Sequence, residues 1–338
     1  MPTPPQPSYP SSHPLSTLLA TLPTPLIQGG AAWSYQLHPA PYSLPATSTL
    51  LHALNSGIRA FDTSPYYDPS ELILGAALAS PEIASIHPRS NYLLFTKVGR
   101  VNATTFDYSP QAVRESVERS LARFGTEYLD VVFCHDVEFV EESEVLDALA
   151  VLWDFVAQGK IRYVGISGYP LEVLVRLAER ARERFGKPLD VVQSWAQLTV
   201  QNTRLVTQGL EGFRGAGVGC VCSSSPLAIG LLRDEGVPEG KLGDFHPAPR
   251  EMRERVARAA RLVKERGGSL ADLASRYAIW EAGRHGVFMI GGAGTDEQVD
   301  GFVGAWKTVH DGGWGDEDQE LIELVRKELG EWVDYCFT

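Results

Sequence analysis

Three residues with chemical potential lie at the downstream ends of short apolar runs. Asp62 closes the run at 57–62, Lys97 stands near the end of 92–98, and His135 closes 129–135. Two tyrosines, Tyr66 and Tyr67, follow Asp62 closely. A carboxylate, an ammonium, an imidazole and a phenol together suit proton transfer. A free phenol has a pKa of about 10, too high for a base near neutrality. An adjacent ammonium favours the phenolate and lowers that value. In this scheme Lys97 supplies the ammonium, Asp62 holds Lys97 charged and oriented, and His135 hydrogen-bonds the oxygen of a substrate. Either tyrosine satisfies the chemistry.

Such a set needs a scaffold that gathers run ends on one face, and the chain supplies one by repetition. Apolar or β-branched runs occur at 26–33, 57–62, 92–98, 129–135, 161–167, 189–194, 218–222 and 286–290. Stretches of helical periodicity lie between most of them, as at 109–124, 142–158, 171–185 and 250–266. Ser109-Pro110 places a capping hydroxyl before a proline in the first helical turn. Gly125, Gly159 and Gly186 fall where left-handed C-caps are needed. Strands alternating with helices imply βαβ units and a parallel sheet. The fold class is therefore α/β, a single-domain (β/α)8 TIM barrel over residues 26–338. Residues 1–25 carry prolines at 2, 4, 5, 7, 10, 14, 23 and 25. They form a Pro-rich N-terminal tail expected to sustain neither a helix nor a central strand. In such a barrel the catalytic residues collect at the C-terminal ends of the strands. The other run ends are also polar or glycine: Ser167, Gln193-Ser194, Ser223 to Ser225, and Gly291-Gly292.

Composition narrows the partners. The net charge of −12 argues against nucleic acid and anionic membrane, since each needs a basic face. The stretch 250–266 alternates signs and reads as a solvated helix face. No run approaches the roughly 18 apolar residues of a membrane helix. The four cysteines, Cys134, Cys220, Cys222 and Cys336, show no CxxC pair and no metal-ligand spacing. They read as thiols of a reducing compartment. No Lys or Arg precedes Arg59, which removes the cationic part of a signal or transit peptide. A cytoplasmic protein, monomeric or weakly dimeric, is the expectation.

The segment Phe61-Asp62-Thr63-Ser64-Pro65-Tyr66-Tyr67, followed by Glu71 and Leu74-Gly75, resembles the signature of the aldo-keto reductases. Phe95-Thr96-Lys97, the stretch from Ser120-Leu121 through Tyr128-Leu129-Asp130 to His135, the stretch from Gly159-Lys160 to Gly165-Ile166-Ser167, and Ser225-Pro226-Leu227 resemble further motifs of that family, in the family's order. This resemblance implies a catalytic tetrad of Asp62, Tyr67, Lys97 and His135. Tyr67 is preferred over Tyr66 because it stands five residues after the aspartate. It also implies a dinucleotide lying across the barrel mouth, with the nicotinamide amide held by Ser167 and Gln193. The pyrophosphate would lie near Ser225, Pro226 and Leu227 and the loop through Gly230. No GxGxxG follows a strand, so a Rossmann site is not expected.

Two departures from the family pattern carry information. The residue before Ser-Pro-Leu is usually an aromatic that stacks on nicotinamide. Here it is Ser224, which leaves Trp195 as the candidate. NADPH-using relatives offer cations to the 2′-phosphate in the segment 289–298, which also carries the expected cofactor residue Thr295, at positions that match Gly292 and Gln298. Those are uncharged here, with Asp296 and Glu297 beside them, or else Arg284 or Arg204 supplies the cation. NAD is expected as cofactor rather than NADP. Cys134-His135-Asp136-Val137-Glu138-Phe139 and Gln201-Asn202-Thr203-Arg204-Leu205 are similar to the L-galactose and D-arabinose 1-dehydrogenase branch. That likeness implies NAD-linked oxidation of an aldose at its anomeric hydroxyl, with Tyr67 as general acid/base and Trp33, Asp136, Glu138 and Asn202 lining the sugar. The alternatives are an NADPH-dependent carbonyl reductase with the same tetrad, or a cofactor-binding regulatory subunit without catalysis.

Overall fold

The computed structural model describes residues 14–337. Its strands are β1 (Thr24–Gly29), β2 (Ile58–Asp62), β3 (Leu93–Val98), β4 (Leu129–His135), β5 (Ile161–Gly168), β6 (Val191–Trp195), β7 (Val221–Ser224) and β8 (Val287–Gly292). Each pairs in parallel with the next, and β8 returns to β1, closing the barrel. The expected alternation of strand and helix is thus the observed one, with strand bounds displaced by a few residues. The first run is the exception in kind. β1 ends at Gly29, and Gly30–Trp33 form a 3-10 turn.

The helices begin and end on the residues that the sequence marks for it. Pro110–Phe124 starts with Ser109 Oγ accepting the Ala112 N–H at 3.3 Å and stops at Gly125, whose φ of +61° is left-handed. Leu171–Phe185 stops at Gly186 in the same way, at φ +67°. Most of the apolar faces of these helices pack against the outside of the barrel in one continuous buried layer.

Inside the barrel a second cluster holds Ile27, Ala60, Leu93, Phe95, Val131, Phe133, Val191, Cys220, Cys222 and Ile290. These are alternate residues of their strands, so the lumen is a packed core and not a pore. One further step of the same alternation carries Asp62, Lys97, His135 and Gln193 inward at the mouth.

The opposite end of the lumen is plugged, and this corrects the expectation for residues 1–25. Residues 14–25, the part of that stretch that is described, contain the helix Leu15–Ala20 and the start of β1. Leu15 and Leu19 are fully buried in the lumen cluster, with Leu18 and Leu22 packed against it. Pro14 and Pro23 flank the helix, and Pro25 is the second residue of β1, where the pairing with β2 shifts register between Thr24 and Ile27. Residues 1–13 lie outside the described residues.

Candidate active site

The mouth is organised around a buried ammonium. Lys97 Nζ donates to Asp62 Oδ1 at 2.8 Å, to Asp62 Oδ2 at 2.7 Å and to the Thr63 carbonyl at 2.9 Å. All three of its hydrogens are therefore used. Burial pushes the Asp62 carboxyl up, while Lys97 and a hydrogen bond from Gln193 pull against that. Adjacent strands β2 and β3 deliver the pair: Asp62 lies opposite Phe95, and Lys97 is two residues further along.

The loop after β2 returns Tyr67 over this pair. Its ring centroid lies 5.2 Å from Lys97 Nζ, and its hydroxyl is 3.5 Å from His135 Nε2. Burial, reinforced by the carboxylates of Asp62 and Asp136, pushes the Tyr67 phenol well above its ordinary value, with Arg100 pulling the other way. This corrects the expectation that the ammonium lowers it. The Lys97 charge is met at contact distance by Asp62, so little of it reaches the phenol. Without a bound molecule Tyr67 is a protonated acid at neutral pH. Burial lowers the His135 imidazole to about 3, so it is neutral there.

Tyr66 has a different place. The Arg100 guanidinium stacks on its ring at 4.0 Å and forms an ion pair with Asp136. Tyr67, and not Tyr66, is the phenol that reaches His135. Arg100 went unnoticed in the sequence because it follows β3 with no periodic signal. It is positioned by Gly99, whose φ of +96° and missing Cβ let the Tyr108 ring cross at a distance where a Cβ would lie 2.4 Å away. The Tyr108 hydroxyl in turn bonds the His135 carbonyl.

The cofactor residues drawn from the sequence fall around the same mouth. Ser167 and Gln193 are register partners on β5 and β6. The Gln193 side-chain oxygen is buried without a hydrogen-bond partner. After β7 the turn holds Ser225, Ala228 and Ile229 at positive φ, three non-glycine residues in strained backbone, with Pro226, Leu227 and Gly230 between or beside them. His246, which no motif or spacing singles out, ties this turn down through Nε2 to the Ala228 carbonyl at 2.9 Å. Gly292 opens onto free space at the end of β8. Thr295 caps the helix Asp296–His310, and Gln298 accepts the Gly294 N–H at 2.8 Å. Asp296 bonds Thr49 at 2.8 Å. Arg204 bonds Gln208 and Cys336, and Arg284 lies on the helix entering β8, at the other end of the barrel.

The sugar-lining residues divide. Asp136 is at the centre, 3.5 Å from His135 Nε2. Glu138 is close by, with Oε1 accepting the Tyr169 N–H at 2.9 Å, Oε2 unpartnered, and its carboxyl pushed up to about 7 by burial. Trp33 does not line the mouth: it is fully buried in the layer outside the barrel. Asn202 does not either. It is fully buried and donates to the Tyr335 carbonyl at 3.2 Å, strapping down residues 332–337. Both lie beyond strand ends, where alternation no longer fixes side-chain direction. Trp195 is the register partner of Ser224 and packs on Tyr169 with ring centroids 4.2 Å apart.

The barrel fold agrees with the comparisons. The model of the Aldo/keto reductase family matches residues 25–312. The chain belongs to that family. It is similar to D-arabinose 1-dehydrogenase of Saccharomyces cerevisiae, at 37% identity covering 90% of each chain. It is also similar to L-galactose dehydrogenase of Arabidopsis thaliana, at 32% identity covering 83% of each. Among solved structures the glycerol dehydrogenase AKR11B4 of Gluconobacter oxydans shares the fold, at TM-score 0.65 and 23% identity over 90% of this chain and 92% of that one. As a member of the family the protein is an NAD(P)-dependent oxidoreductase. No helix among the described residues is long and apolar enough to cross a membrane.

Proposed function

We propose that this chain is an NAD-dependent aldose 1-dehydrogenase, oxidising the anomeric hydroxyl of a sugar of the D-arabinose or L-galactose type to the lactone. One observation carries the cofactor half of this proposal. Where a 2′-phosphate would need cations, Thr295 caps a helix, the Gln298 side chain accepts the Gly294 N–H, and Asp296 and Glu297 occupy the first turn. Two carboxylates at that helix N-terminus already take the favourable dipole end and repel a phosphate. The likeness to two sugar 1-dehydrogenases supports the substrate half.

When bound, the nicotinamide ring supplies the hydride acceptor. Gln193, with its free acceptor, and Ser167 would hold the carboxamide. Ser225, Pro226, Leu227 and Gly230 would meet the pyrophosphate, and Trp195 would offer the aromatic face that Ser224 lacks. Tyr67 first loses its own proton to solvent, which its raised pKa favours only as pH rises. As the phenolate it then takes the proton of the anomeric hydroxyl, and His135 donates a hydrogen bond to the same oxygen. Asp62 and Lys97 fix the floor beneath Tyr67, and Asp136 and Glu138 face the hydroxyls of the ring. The protein would work in the cytoplasm as a monomer or weak homodimer.

A panel of aldoses assayed with NAD and with NADP tests both halves. NADH formation with an aldopentose or with galactose, and a lower Kd for NADH than for NADPH, are expected. Tighter NADPH binding overturns the cofactor assignment, and absence of turnover with every aldose overturns the substrate assignment.

A further inference from the structure

To donate to a substrate oxygen, His135 has to present a hydrogen and not a lone pair, and a neutral imidazole can carry its proton on either nitrogen. The surroundings choose between them. Nδ1 lies 3.0 Å from Ser64 Oγ, and that oxygen also accepts the Tyr66 N–H at 3.1 Å. Nε2 faces Asp136 Oδ2 and the Tyr67 hydroxyl, each at 3.5 Å. With the proton on Nδ1, a bare Nε2 lone pair would face a carboxylate, and the Ser64 hydroxyl hydrogen would have to turn away from the ring. With the proton on Nε2 every group is matched. Ser64 donates to Nδ1 and accepts from Tyr66, and Nε2–H points toward Tyr67 and Asp136. Both Ser64 and His135 are more than nine-tenths buried, so solvent cannot take over either bond.

We propose that Ser64 is a positioning residue: its hydroxyl locks His135 in the Nε2–H tautomer and so aims the hydrogen at the place of the reacting oxygen. Ser64 acts only through His135. This role rests on His135 being the hydrogen-bond donor of the proposed reaction, but the tautomer itself is readable with no substrate present. The hydroxyl matters and not the volume, so threonine should replace serine where alanine cannot.

The test is nitrogen-15 NMR of the histidine rings in the whole protein, with His135 identified by the signal lost in His135→Gln. The wild type should show a bare, hydrogen-bonded Nδ1 and a protonated Nε2. Ser64→Ala should give mixed tautomers and a kcat lower by about tenfold, roughly one hydrogen bond, with the Kd for NAD unchanged. Ser64→Thr should restore both. A wild-type ring protonated on Nδ1 overturns the proposal, as does a Ser64→Ala protein whose tautomer stays fixed. Should Ser64→Ala fail to fold, the wild-type spectrum still decides. If no aldose is oxidised yet the ring shows Nε2–H and responds to Ser64→Ala, the substrate assignment fails and the role of Ser64 stands.

Discussion

Tyr67 is held as a phenol by its surroundings, and two consequences follow for its chemistry. Tyr67→Phe removes the exchangeable proton but keeps the ring against His135. Turnover should fall by roughly 10²–10⁴ or more, while Kd for NAD, read by fluorescence quenching, stays within about twofold. Retained activity would move the role to Tyr66. The pH dependence follows from the same shift. A raised pKa keeps the proton on Tyr67 through neutrality, so oxidation, which needs a proton acceptor, should speed up as pH rises from 7 towards 10. His135, lowered to about 3, should contribute no acid limb above pH 5. A kcat profile falling between pH 7 and 9 would contradict this account of the phenol. Lys97 carries a different prediction. Because it is fully buried on Asp62, Lys97→Met leaves a carboxylate alone in the barrel mouth. Urea unfolding should show a loss of about 3–5 kcal/mol. The double variant with Asp62→Asn should regain much of the stability and none of the activity.

At the scale of elements, the strands were legible because apolar runs with polar downstream ends repeat along the chain. The same repetition placed Asp62, Lys97 and His135 at a common mouth before any contact was known. Signals that depend on distant partners were not legible. Ser64 and His135 are 71 residues apart, and His246 acquires its meaning only from the turn it holds at Ala228. Trp33 and Asn202 were misplaced for a related reason, since each lies past the end of a strand. The helix Leu15–Ala20 was hidden by its setting. Six residues between prolines cannot hold a helix in water, and this one exists because Leu15 and Leu19 fill the end of the lumen. Leu19→Ala should therefore cost about 2–5 kcal/mol in urea unfolding, as a core truncation does. A change under 1 kcal/mol would mean that the plug is marginal to the barrel.

At the scale of the molecule, one wall of eight strands is shared by everything described above. Its inner surface is lumen core for most of its height and reaction chamber at one rim. Cys220 and Cys222 face that core and Cys134 points from β4 into the buried layer outside it, whereas Cys336 is partly exposed on the strap near the mouth. The four thiols therefore keep time differently. Under a thiol reagent Cys336 should react at once in the native protein. The other three should wait for the barrel itself to part, and should then be modified together at the rate of global opening. Mass spectrometry of a labelling time course would show one fast addition and then a single slow jump to four. A gradual passage through two and three additions would mean that single strands peel away from the wall. The sulfur atoms thus form a clock sealed inside the vessel, and its first slow tick marks the failure of the whole ring of strands.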